Sequence, residues 1–142
     1  MIKSILIALI LLATLTGPLT AADSCTPTGA ERARWTMSDM LSLRTALEAY
    51  AQDNKAYPTV TGIDELRKQL EGKYMLVAPV RDAWGTPYRY ERNGDGFRLV
   101  SAGADAKFDA SAWSTAGRLK SLSDDAVMSE QGRWLFRSWS FE

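Results

Sequence analysis

The chain has 142 residues, 46% of them hydrophobic and 24% charged, which suits one small globular domain and is too short for two. Its 17 basic residues balance 17 acidic ones, so no basic footprint points to nucleic acid. Histidine is absent, which removes the usual residue of neutral-pH acid–base catalysis and of most transition-metal sites.

The N-terminus reads as a targeting segment. Lys3 supplies a positive start, Ile5–Leu15 is apolar apart from Thr14, and Pro18 breaks the run. Leu19-Thr20-Ala21 or Thr20-Ala21-Ala22 then offers small residues for cleavage, so residues 1–22 are expected to form a secretory signal. A membrane-spanning helix needs about 20 apolar residues. This run is roughly half that length, so no membrane span is expected after cleavage. The mature protein would be periplasmic or secreted, beginning near Ala22 or Asp23. Cys25 is the single cysteine, so it is free, paired between chains, or lipidated. Ala22-Asp23-Ser24 fits a lipidation box poorly, which favours a thiol in a polar linker over residues 23–30. The domain itself is expected over residues 31–142.

From Glu31 to about Asn54 the chain reads as one helix. Met40, Leu43, Leu47 and Tyr50 recur at helical spacing and form a single apolar stripe, with Arg44, Glu48 and Gln52 on the solvated side. Trp35 lies one turn earlier and extends the stripe, while Ser38 or Asp39 offers a cap for a later start. Pro58 disfavours helix at Tyr57 and ends the element. A second helix fits Ile63–Leu70, with Ile63, Leu66 and Leu70 on one face, Thr61 as cap and Gly72 as stop. Tyr74–Val80 is expected to be extended.

Residues 82–105, DAWGTPYRYERNGDGFRLVSAGAD, carry the most information. Asp82, Gly85 and Pro87 make a rigid turn, with Trp84 as its anchor. Tyr88 to Arg92 alternates apolar and charged side chains, as a half-buried strand does. Asn93-Gly94-Asp95-Gly96 reverses the chain, and Phe97–Ser101 returns as a second strand. Ala102–Asp105 is a glycine-broken acidic loop. Residues 106–123 show no period and read as loop. Ala126–Met128 and Arg133–Arg137 are apolar enough for two further strands joined across Ser129–Gly132.

One long helix followed by short antiparallel strands reads as an α+β domain. The helix stripe requires an apolar face, and Tyr88, Tyr90, Phe97, Leu99, Trp134 and Phe136 supply one. Trp113, Trp139 and Phe141 are less easily placed and could mark a partner surface.

Several motifs together resemble the soluble domain of the major pseudopilin of type II secretion. They are Ala46–Tyr50, Asp53-Asn54, Tyr57–Thr59 with Gly62, Asp82–Tyr88 and Ser101–Asp105, in that order and at sensible spacing. The resemblance covers residues 40–105 well and the C-terminal region loosely. It implies a pilin-like fold, an N-terminal helix packed on a small antiparallel sheet. It also implies one bound calcium ion (Ca2+), with Asp105 as a side-chain ligand, the Ala102 carbonyl as a backbone ligand, and Asp124-Asp125 as the later acidic pair. Asp109 is a further candidate.

An all-oxygen donor set suits calcium, which takes six to eight oxygen ligands in a flexible shell. The spacing is not that of an EF-hand. Read without the resemblance, the same aspartates are surface charges partnered by Lys107, Arg118 and Lys120. The family's short basic leader, glycine cleavage site and long apolar helix find no counterpart here. The expectation is therefore a soluble exported relative acting through other proteins of the secretion apparatus or envelope.

The alternative is a structural or adhesive envelope protein that uses the fold independently of secretion. Paired carboxylates could run glycoside hydrolysis without histidine, but no particular pair stands out. No catalytic constellation is visible, so an enzyme is not expected.

Overall fold

The long helix begins where a side chain can satisfy its first backbone donors. The computed structural model describes residues 26–110 and 121–130. In it, helix α1 spans Gly29–Asn54, two residues earlier than its periodicity predicts, with Thr28 as N-cap. The Thr28 hydroxyl accepts from the Glu31 N–H at 3.2 Å, and the Glu31 carboxylate accepts from the Thr28 N–H at 2.7 Å. This reciprocal capping box satisfies two of the donors that every helix start leaves over. Neither Ser38 nor Asp39 is the cap. At the other end Lys55 turns left-handed, and the Asn54 amide donates to the Tyr50 carbonyl at 2.9 Å. Helix α2 occupies Ile63–Leu70, as its stripe predicts. Gly62, not Thr61, stands at its N-cap position without a side-chain bond.

Strands β1 (Arg89–Asn93), β2 (Gly96–Ser101) and β3 (Ala126–Ser129) form one antiparallel sheet in the order β1-β2-β3. Asn93 pairs with Gly96, leaving Gly94-Asp95 as a two-residue turn. Gly94 has φ 60 and Asp95 is not left-handed, the pattern of a II′ hairpin turn that follows the strand twist. At the same, hairpin end of the sheet, just past β3, the Glu130 carboxylate accepts from the Phe97 N–H at 3.1 Å. It packs against Gly96, in the space a Cβ there would take. The segment 71–80 is more folded than an extended run. It bridges Glu71 to Met75 before running to the turn at residue 82.

The core lies between α1, α2 and one face of the sheet. Met40, Leu43, Ala46 and Leu47 of α1 and Ile63, Leu66 and Leu70 of α2 pack with Tyr88, Tyr90, Phe97, Leu99, Ala126 and Met128. Burying each large apolar side chain there contributes about 1.5–3 kcal/mol. Trp35 does not extend the stripe, because it is 52% exposed while Thr36 and Ala33 face inward. The helix turns 100° per residue, so Thr36 sits one turn from Met40 on the buried face and Trp35 falls outside it.

Strand β2 is buried on both faces. Val100 and Val127, paired across the sheet, form a second cluster under Phe108, over whose ring the Arg89 guanidinium lies at 4.3 Å. The residues after Asp105 thus fold back over the outer face. The strand over Arg133–Arg137, the aromatics Trp113, Trp134, Phe136, Trp139 and Phe141, Cys25 and the signal segment lie outside the described residues.

Thr28→Ala should lower stability by about 1 kcal/mol in denaturant unfolding at neutral pH. The Thr28 N–H holds the Glu31 carboxyl below its ordinary value of 4.5. A lowered folded pKa stabilises above the ordinary value and is lost as pH falls through the folded one. Unfolding from pH 7 to pH 3 should therefore show an acid loss that Glu31→Gln reduces. Burial raises the Tyr88 and Tyr90 phenols well above their ordinary 10.0, with Asp39 and Asp82 adding to the shift at Tyr88. Their neutral forms belong to the folded state, so stability should fall as pH rises past 10. In an absorbance titration these two tyrosines should ionise only as the chain unfolds.

Candidate functional site

The turn at residues 82–87 is built around one carboxylate. Asp82 is 5% exposed. Its Oδ1 accepts from the Trp84 N–H at 3.0 Å and the Thr86 N–H at 2.9 Å, and its Oδ2 from the Ser101 hydroxyl at 2.7 Å. Two backbone bonds close the same turn, Asp82 N–H to Thr86 O at 2.8 Å and Gly85 N–H to Asp82 O at 2.9 Å. A carboxylate taken out of water is tolerated only with such donors, and charge-assisted bonds are the strong ones. The Ser101 oxygen also accepts from the Gly103 N–H at 3.2 Å. Asp82 therefore reaches through one hydroxyl to the loop that follows β2.

The same turn is fastened to α1. The Thr36 hydroxyl accepts from the Ala83 N–H at 3.1 Å, and the Arg32 guanidinium donates to the Ala83 carbonyl at 2.6 Å. Periodicity had no means of identifying Thr36, a polar residue on the buried face. The Asp82–Ser101 bond joins positions 19 apart, each readable as a turn or strand residue but not as partners.

The sequence-derived ligand positions fall on two loops at this end of the sheet. Ala102 is fully buried, directly after β2, and Asp105 closes the short helical turn Gly103–Asp105. Asp124 and Asp125 immediately precede β3. The loops meet backbone to backbone, with the Ala104 N–H donating to the Leu122 carbonyl at 2.8 Å. Gly103 permits the approach. Its φ is 66, and a Cβ would come within 2.7 Å of Leu122 O and 2.9 Å of Asp124 O.

The carboxylates themselves serve the local backbone. Asp105 accepts from Lys107 N–H at 3.0 Å, Asp124 from Ser121 N–H at 3.0 Å, and the buried Asp125 from Asp109 N–H at 2.7 Å. Asp109 thus meets Asp125 through its backbone. Among the described residues, no three acidic or cysteine side chains converge as a metal site requires. The structure brings the loops together, and the donor chemistry is all oxygen. A carboxylate has about four lone-pair positions, so one N–H bond does not preclude coordination.

A long helix packed across a small antiparallel sheet, locked to it by a buried turn, defines a pilin-like α+β domain. The chain matches the family described as type II secretion system (T2SS), protein G, over residues 26–115, and it belongs to that family. It is 38% identical over 82 residues to the type II secretion system core protein G of Pseudomonas aeruginosa. The alignment covers 49% of this chain and 57% of that relative, so the chain spans little more than half of the relative's length. No solved structure matches. Membership makes this a structural pseudopilin-type protein of the cell envelope, not an enzyme. No helix among the described residues is long and apolar enough to cross a membrane.

Removing the buried carboxylate should be felt across the domain. Asp82→Ala leaves three donors without an acceptor and should lower stability by about 3 kcal/mol. Asp82→Asn keeps one acceptor oxygen and should cost about 1–2 kcal/mol. In a double-mutant cycle with Ser101→Ala, the two losses should fall short of additivity by about 1 kcal/mol. Denaturant midpoints at constant slope measure all three.

Proposed function

We propose that this protein is an exported, non-enzymatic component of type II secretion that works through contacts with other proteins of the apparatus, stabilised by calcium. A cleaved signal over residues 1–22, a short polar linker and a periplasmic or secreted domain complete the reading. The observation that carries it is the family match over residues 26–115, which includes both the Asp82 turn and the loop ending at Asp105. The exposed Leu76 and Val77, 88% and 67% accessible, are consistent with a domain that meets partners.

Calcium is the finer part of this reading. The Asp105, Asp124 and Asp125 carboxylates and the Ala102 carbonyl would hold it, on two loops that already touch through Ala104 and Leu122. The ion would supply cross-linking, neutralising aspartates that otherwise repel one another, and no reaction chemistry.

Thermal unfolding of the purified protein with calcium and with chelator tests the ion. Binding to the native state alone should add about 2.7 kcal/mol at a hundredfold excess over Kd, and Asp105→Ala should abolish the gain. Equal unfolding in both conditions would overturn the calcium reading. For the larger reading, a deletion strain should lose export of type II substrates and regain it on complementation. Normal export in that strain would sink the secretion role whatever the calcium result.

A further inference from the structure

The loop containing Leu122 is held between two places where the fold carries no Cβ. At the first, its side chain lies against Gly29, the opening residue of α1, where a Cβ would come within 2.6 Å of Leu122 Cδ1. At the second, its carbonyl accepts from the Ala104 N–H at 2.8 Å and approaches Gly103 so closely that a Cβ would lie 2.7 Å away. One residue therefore touches the start of the helix with its side chain and the turn after β2 with its backbone.

The loop around it is closed on itself. Asp124 accepts from the Ser121 N–H, the Ser121 hydroxyl accepts from the Ser123 N–H at 3.1 Å, and the Asp124 N–H donates back to the Ser121 carbonyl at 3.2 Å. Such a loop shifts as a unit when one side of it is pushed. Among the described residues, the first turn of α1 is also held by the exposed Thr28–Glu31 box and the Arg32 bond to Ala83. Helix ends open at the lowest free energies in a fold, so a single apolar tether there changes the local equilibrium measurably.

We propose that Leu122 is a latch coupling the turn at residues 102–105 to the first turn of α1. Displacing the loop from Gly103 withdraws Leu122 from Gly29 and frees the helix start. Anything that orders the loop secures it. The latch acts at the opening residue of α1, so it links the state of the two loops to the first turn of the helix. The coupling requires a second, withdrawn arrangement of Leu122 beside the seated one, and the exchange experiment reads its population. The proposal does not require a cation and stands or falls apart from the calcium reading.

Amide hydrogen exchange at Glu31 and Arg32, measured on the full chain, tests it. The variants are Leu122→Ala, Gly103→Ala and the two together, with the Leu66 and Leu70 amides of α2 as internal reference. Each single variant should speed exchange at Glu31 and Arg32 about fivefold with α2 unchanged. The double variant should exchange no faster than Leu122→Ala alone. Unchanged exchange in Leu122→Ala overturns the latch, and so does a double variant whose effects multiply. If Gly103→Ala fails to fold, Ser121→Ala takes its place, since it removes the acceptor of the Ser123 N–H within the same loop and carries the same expectations.

Discussion

The domain depends on a buried carboxylate that three donors make tolerable. Asp82 holds its own turn through two backbone N–H groups and reaches the end of β2 through the Ser101 hydroxyl. Because Thr36 and Arg32 bind the neighbouring Ala83, the turn is also the fastening between sheet and helix. Apolar packing drives α1 onto the sheet but is non-directional. The polar bonds at the turn are directional and determine where along the sheet the helix comes to rest.

That constraint decides what else gathers at this end. The Ser101 oxygen that answers Asp82 also receives the Gly103 N–H, which fixes the course of the chain into the Ala102–Asp105 loop. Gly103 then admits the backbone of the 121–125 loop, so segments about twenty positions apart lie side by side. On the outer face, Phe108 covers Val100 and Val127. The loop between β2 and β3 is thereby tied to the sheet it leaves. An oxygen-rich pair of loops, the helix start and the Asp82 turn form one connected end of the molecule. The Gly94-Asp95 hairpin stands at the other end of β2.

Wherever the physics is local, the sequence was legible. The α2 limits, the hairpin register implied by Asn93–Gly96, and the buried positions Met40, Leu43, Leu47, Tyr88, Tyr90, Phe97 and Leu99 all follow from periods of 3.6 and 2. The start of α1 was also encoded, in the Thr28-x-x-Glu31 box, two residues before the reach of the apolar stripe. Trp35 was read as extending the stripe by one turn, but five residues before Met40 it lies well outside the buried arc, which Thr36 occupies instead. The candidate calcium positions came from the family resemblance, as residues on two loops. Which of their oxygens accept backbone N–H bonds is set by loop geometry.

The sequence by itself determined α2, the hairpin, most of the inward faces and the family, because helix and strand periods, turn residues and motif order are short-range properties of the chain. Tertiary structure alone decided that Asp82 meets Ser101, that Thr36 replaces Trp35 at the helix–sheet contact, and that Leu122 reaches both Gly29 and Gly103. Those contacts join residues separated by 19 to 93 positions. No local pattern specifies such pairs. They form when burial of the apolar faces has brought the segments together, and the polar groups caught in that contact must find partners or oppose the fold.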